Sequence, residues 1–284
     1  MPDHEIQETK GTTKKKGKII GICSAKGGIG RTVITANLGI ALSSKRLNTC
    51  ILDGCFQFGD INIAMDLQPM FTIKDVIEQL DTIDEHNILN YLFRHESGVK
   101  VLSAPHRPEY ADLVTTESLE KICNLLQSHF DYILVDVMAG LPDKSLYFVE
   151  KADQILLLTD LEMTTLKNTK LMLEILDTLE LRHKVQVVVN RSTMQSVIQS
   201  SDVHQILGEP SLLYVPNDFD IVSKSLNIGI PFVINHRRID MAKAIFGITD
   251  FLTAGQEIAL YKPKPASFTQ MLFDKFRRPK ERSQ

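Results

Sequence analysis

Three glycines packed between an apolar strand and a helix constrain this chain more than any other feature. Lys18 to Ser24 is an apolar run of strand length, and Ala25-Lys26-Gly27-Gly28-Ile29-Gly30-Arg31-Thr32 follows it directly. From about Arg31 to Lys45 the apolar residues fall at helical spacing. Glycines at such a junction let successive backbone N–H groups wrap a phosphate at the positive end of the new helix. Close packing of strand on helix uses the same residue type, so the loop by itself leaves both readings open.

The rest of the chain repeats the alternation. Thr49 to Asp53, Val99 to Ser103, Tyr132 to Asp136, Gln154 to Thr159, Val185 to Asn190 and Leu212 to Val215 are mostly Val, Ile and Leu without polar alternation, as strands buried on both faces are. Helical patterns such as Glu117 to His129 and Met163 to Leu179 lie between them. The expected fold is therefore α/β, a doubly wound and mostly parallel sheet with helices on both faces. One domain is expected over 18–252, after a flexible basic arm at 1–17 and before a linker and tail at 253–284. Hydrophobic residues make up 43% of the chain, enough for a sizeable core, and the net charge of −3 gives no global reason to expect nucleic acid as a partner.

The strict phosphate-loop pattern GxxxxGK[ST] fails at two positions, since Ala25 replaces the first glycine and Arg31 the lysine. Thr32 keeps the hydroxyl that suits a magnesium ion bridging phosphates. Asp53 closes the second strand and Asp136 closes an apolar strand in the manner of a Walker B acid. Ligands of open α/β sheets bind at the carboxyl ends of the strands, so both acids are expected beside the loop and its metal.

With these motifs the chain resembles the MinD/ParA superfamily, the deviant Walker A group of P-loop ATPases, whose loop reads KGGxGK[ST]. Phe56-Gln57-Phe58-Gly59-Asp60, Leu102 to Pro105 with Arg107-Pro108-Glu109, and Leu166-Lys167-Asn168-Thr169 point further to the CpaE/TadZ pilus-assembly branch. The resemblance implies ATP and Mg2+ as cofactors. It implies nucleotide contacts from Lys26, Gly27, Gly28, Ile29, Gly30, Arg31, Thr32 and Val33, metal contacts from Thr32, Asp53 and Asp136, and catalytic roles for Lys26, Asp53 and Asp136. Lys26 matches the signature lysine that reaches the partner subunit's phosphates, so an ATP-dependent homodimer is implied as well. Asn190 and Pro216 match positions beside the adenine; an amide suits a purine edge, while Asn190 suits a turn after a strand equally.

Two departures bear on turnover. Where family members often carry Asp-x-Asp, this chain reads Asp53-Gly54-Cys55, and a neutral thiol is no carboxylate base. Arg31 exchanges a compact ammonium for a planar fork. Slow or absent hydrolysis is the expectation.

The tail gathers Phe268, Met271, Leu272, Phe273 and Phe276 on one side of a short helix. Seven basic residues of 262–284 stand against Asp274 and Glu281. That suits an anionic membrane surface, reached through 268–278, and resembles the membrane-targeting helix of MinD-type proteins; docking on protein fits the same pattern. A cytoplasmic location, peripheral on the membrane, is expected from the polar N-terminus and from the lack of an apolar run near the roughly 18 residues a spanning helix needs.

The implied role is an ATP-dependent positioning factor that recruits pilus or secretion machinery, with a MinD-type regulator of division or flagellar placement as the alternative. A ParA-type DNA partitioner needs a basic surface, and outside its termini the chain is acidic, so nucleic acid is not expected. A tyrosine autokinase would carry tail tyrosines, yet none follows Tyr261; an iron–sulfur reductase would need thiolates that Cys23, Cys50, Cys55 and Cys123 do not supply.

Overall fold

The computed structural model describes residues 16–254, so the expected tail helix at 268–278 and most of the expected arm lie outside the described residues. Lys16 and Gly17 are already docked. Lys16 donates to Asn124 Oδ1 at 3.0 Å, and Gly17 N donates to the Gln127 carbonyl at 2.9 Å.

Eight strands form one sheet: β1 Lys18–Ser24, β2 Thr49–Gly54, β3 Phe93–Arg94, β4 Lys100–Leu102, β5 Tyr132–Val137, β6 Gln154–Thr159, β7 Val185–Val189 and β8 Leu212–Tyr214. Their order is β3-β4-β2-β5-β1-β6-β7-β8, and every pairing is parallel except β3 with β4. The six strands expected after β1 are therefore present with ends shifted by a residue or so. The antiparallel edge strand β3 was not expected, because two residues carry no periodicity to read.

The helices are α1 Arg31–Ser44, α2 Ile61–Ala64, α3 Ile73–Glu78, α4 Thr116–Gln127, α5 Asp143–Lys151, α6 Met163–Thr178, α7 Val203–Leu207, α8 Phe219–Ile228, α9 Phe232–Asn235 and α10 Asp240–Thr253. Successive strand residues face opposite sides, and both sides are covered. On one face Ile20, Ile22, Ile51, Leu134 and Leu156 pack with α1 and α10 through Leu38, Ile245 and Ile248. On the other Ile19, Leu52, Ile133, Val135 and Leu157 pack with α4, α5 and α6 through Leu119, Phe148 and Leu173.

Helix α8 begins at Phe219. Asp218 is its N-cap, its carboxylate accepting from Ile221 N at 3.1 Å, and Gly229 ends it in the left-handed region at φ 67°. None of the described helices is long and apolar enough to cross a membrane.

Candidate functional site

The strand order brings the carboxyl ends of β1, β2 and β5 together under the glycine loop. Gly28 and Gly30 both adopt left-handed backbone, at φ 77° and 93°, and Gly30 opens α1. A side chain at Gly30 would be strained there, and its Cβ would meet Asn190 Nδ2 at 2.7 Å. That neighbour is a strap. Asn190, at the end of β7, donates from Nδ2 to the Ile29 carbonyl at 2.7 Å and accepts at Oδ1 from Arg191 N at 2.9 Å. Arg191 adds a bond from Nη2 to the Gly28 carbonyl at 3.0 Å.

Asp53 and Asp136 face each other across the β2–β5 ladder, and both are buried. Thr32, in the first turn of α1, donates its hydroxyl to Asp136 Oδ2 at 2.6 Å; Asp136 Oδ1 is buried with no partner. Asp53 accepts from Cys55 N at 3.1 Å and from Ile61 N at 3.3 Å. The 55–60 loop lies so close to Asp53 that a Cβ on Gly59 would stand 2.3 Å from Asp53 Oδ2. Burial, joined by the negative charge of Asp136, holds the Asp53 carboxyl well above the usual carboxylate range. Asp136 is raised too, again by burial, with the Thr32 hydrogen bond and the Arg31 charge pulling the other way. Burial and the two acids together push the Cys55 thiol up to about 12, which keeps it neutral.

The two basic residues of the loop are both engaged within the chain. Lys26 Nζ pairs with Glu162 Oε2 at 3.1 Å and lies 3.4 Å from Thr164 Oγ1, at the start of α6. Arg31 turns its guanidinium to the Val137 carbonyl, one residue past Asp136.

A cleft of about 550 Å³ opens over the loop, a volume suited to a nucleotide. Gly28, Gly30, Arg31, Thr32, Val33 and Asn190 line it, whereas Lys26, Gly27, Ile29, Asp53, Asp136 and Pro216 do not. Ile29 is buried beneath the loop, and Pro216 borders a neighbouring hollow that shares Asn217 and Asp218 with the cleft. Further wall residues were not anticipated from the sequence, Asp60, Arg191, Phe219 and Val222 among them. Arg191 directly follows Asn190, and Phe219 is 71% exposed at the head of α8, a signal that only the folded chain displays.

The donor set fits magnesium. Two carboxylates and the Thr32 hydroxyl are hard oxygen ligands, and the bare Asp136 Oδ1 is an acceptor that a cation would satisfy. Bound there with nucleotide, the ion would supply positive charge to phosphate oxygens.

No family model matches the chain. It is 26% identical over 231 residues to the septum site-determining protein MinD of Thermotoga maritima, covering 77% of this chain and 82% of that one. Among solved structures, the cell division ATPase MinD of Pyrococcus furiosus superposes with a TM-score of 0.73 at 25% identity, covering 83% of this chain and 98% of that one. Its homologues are MinD/ParA-type ATPases. A MinD of Pyrococcus horikoshii, solved with Mg-ADP, shares the fold with a TM-score of 0.73 at 22% identity, over 84% of this chain and 98% of that one. The eight-stranded, mostly parallel sheet of this chain matches that of its MinD/ParA structural neighbours.

Proposed function

We propose that the chain binds Mg-ATP in the cleft over Gly28 to Val33 and works as a nucleotide-dependent dimeric positioning factor with slow or absent hydrolysis. The observation that carries the reading is the Thr32–Asp136 pair at 2.6 Å beside an unpartnered Asp136 oxygen, set under a left-handed glycine loop. Bound phosphate would meet the loop N–H groups and the N-terminus of α1. Positioning and electrostatics carry most of phosphoryl-transfer catalysis. Here the guanidinium of Arg31 is spent on a backbone carbonyl, and Cys55 is a neutral thiol beside Asp53, so binding is kept while two parts of the turnover machinery are altered.

The Lys26–Glu162 bridge fits a switch. Both side chains are about half exposed, so the pair is worth little and yields readily to a stronger partner such as a phosphate of a second subunit. Dimerisation would join two basic amphipathic tails and raise their avidity for an anionic membrane. The machinery positioned is that of pilus or secretion assembly, on the CpaE/TadZ-like segments around Phe56 and Arg107. The MinD names of its relatives favour a second reading, placement of the division site.

Size-exclusion with light scattering, with and without ATP and Mg2+, tests the switch. A dimer that forms only with Mg-ATP and is lost in Lys26→Ala is expected; a monomer under both conditions refutes it. Turnover at an ordinary rate of about 1 to 100 per second would refute slow hydrolysis.

A further inference from the structure

Cys55 performs no task that nucleotide binding requires, yet the fold sets it against both buried acids. Its Sγ and one carboxylate oxygen from each of Asp53 and Asp136 lie within 4.8 Å of one another. Register brings them there: Asp53 and Asp136 are direct partners on adjacent parallel strands, and Cys55 is the first residue beyond β2. Asp136 Oδ2 is occupied by the Thr32 hydroxyl, but Oδ1 is fully buried and unpartnered. An uncovered acceptor of that kind is costly, so something of positive character belongs beside it.

We propose that Asp53, Cys55 and Asp136 form a three-ligand site for a zinc-type divalent cation, bound by the nucleotide-free protein. Tetrahedral zinc, with bonds of about 2.0 to 2.3 Å, sets neighbouring ligand atoms roughly 3.5 Å apart, so about an ångström of side-chain movement closes the site. The charges balance. Two carboxylates and a thiolate carry three negative charges; the cation brings two positive charges and Arg31, bonded to the Val137 carbonyl beside Asp136, brings the third. A thiolate ligand selects zinc over magnesium, which takes six oxygens in octahedral array. On binding, the Cys55 thiol and any protonated carboxyl release their protons to solvent, with no change of oxidation state. The fourth coordination position is left for water.

The test uses the full chain, stripped of metal and without nucleotide, so its outcome does not depend on the ATP switch. Titration with Co2+ is expected to give a thiolate-to-cobalt charge-transfer band in the near ultraviolet at one equivalent, discharged by Zn2+. In Cys55→Ser the band is lost and Zn2+ affinity, read against a chromophoric chelator, falls at least about tenfold. In Asp53→Asn affinity falls while the sulfur band stays. Cys23, Cys50 and Cys123 are buried and unchanged in both variants. A Co2+ complex without the band, a band that survives Cys55→Ser, or equal Zn2+ affinity in all three proteins would overturn the assignment.

Discussion

Replacing Asp53 by Asn should remove a pH dependence of stability that the two facing acids impose. In the metal-free protein burial and the charge of Asp136 raise the Asp53 carboxyl to about 8, so near neutral pH the native state holds a proton that the unfolded chain has released. A carboxyl raised on folding contributes stability that is fully present below its unfolded value and is lost as pH climbs through its folded value. Each retained proton tilts stability by about 1.4 kcal/mol per pH unit. Between pH 6 and 8, with the slope tapering as the proton leaves, wild type should lose about 2 kcal/mol relative to Asp53→Asn. For a domain of this size that is roughly 4 to 8 °C of melting temperature. An amide at Asp53 also faces the Cys55 and Ile61 N–H groups differently, but that offset is the same at every pH. Titrations remote from the pair are common to both proteins and cancel in the difference, whereas Asp136 and Cys55 lose the facing charge of Asp53 in the variant, so their own shifts relax with it. The chain has no tryptophan, so calorimetry or circular dichroism in EDTA is the assay. Parallel curves of melting temperature against pH, or an Asn variant that loses ground as pH rises, would refute the shared-proton account.

Three further outcomes follow from the loop and its strap. Gly30→Ala forces a side chain into left-handed backbone and against Asn190 Nδ2, and should cost about 1 to 3 kcal/mol in denaturant unfolding, with nucleotide binding lost alongside. Thr32→Ala leaves both Asp136 oxygens without the hydroxyl, and should lower ATP affinity about tenfold in Mg2+ but much less in EDTA, as read by calorimetric titration. Asn190→Ala removes the bonds to the Ile29 carbonyl and from Arg191 N; stability should fall about 1 to 2 kcal/mol, and amide exchange in the loop should speed up.

Much of this was legible because the informative residues are local. Strands buried on both faces are uniformly apolar, so β5, β6 and β7 announce themselves in sequence, and a strand that ends in an acid marks which end faces the ligand. What sequence does not hold is lateral order. That Asp53 and Asp136 are direct partners depends on β2 lying beside β5, and that Asn190 and Arg191 bind the loop depends on the end of β7 reaching it across the top of the sheet. Cys55 shows the difference most clearly. In sequence it is only a missing carboxylate, since Asp53-Gly54-Cys55 displays no partner. In the fold it closes a triangle with two acids whose repulsion the sheet geometry enforces. Parallel strands at their usual spacing allow no retreat for two opposed carboxylates, so the same pairing that assembles the site also creates its demand for a proton or a cation. The glycine loop, Thr32 and Arg31 are then best understood as the surroundings of that demand: one hydroxyl on Asp136, one guanidinium beside it, and one buried oxygen left open for whatever charge the site receives.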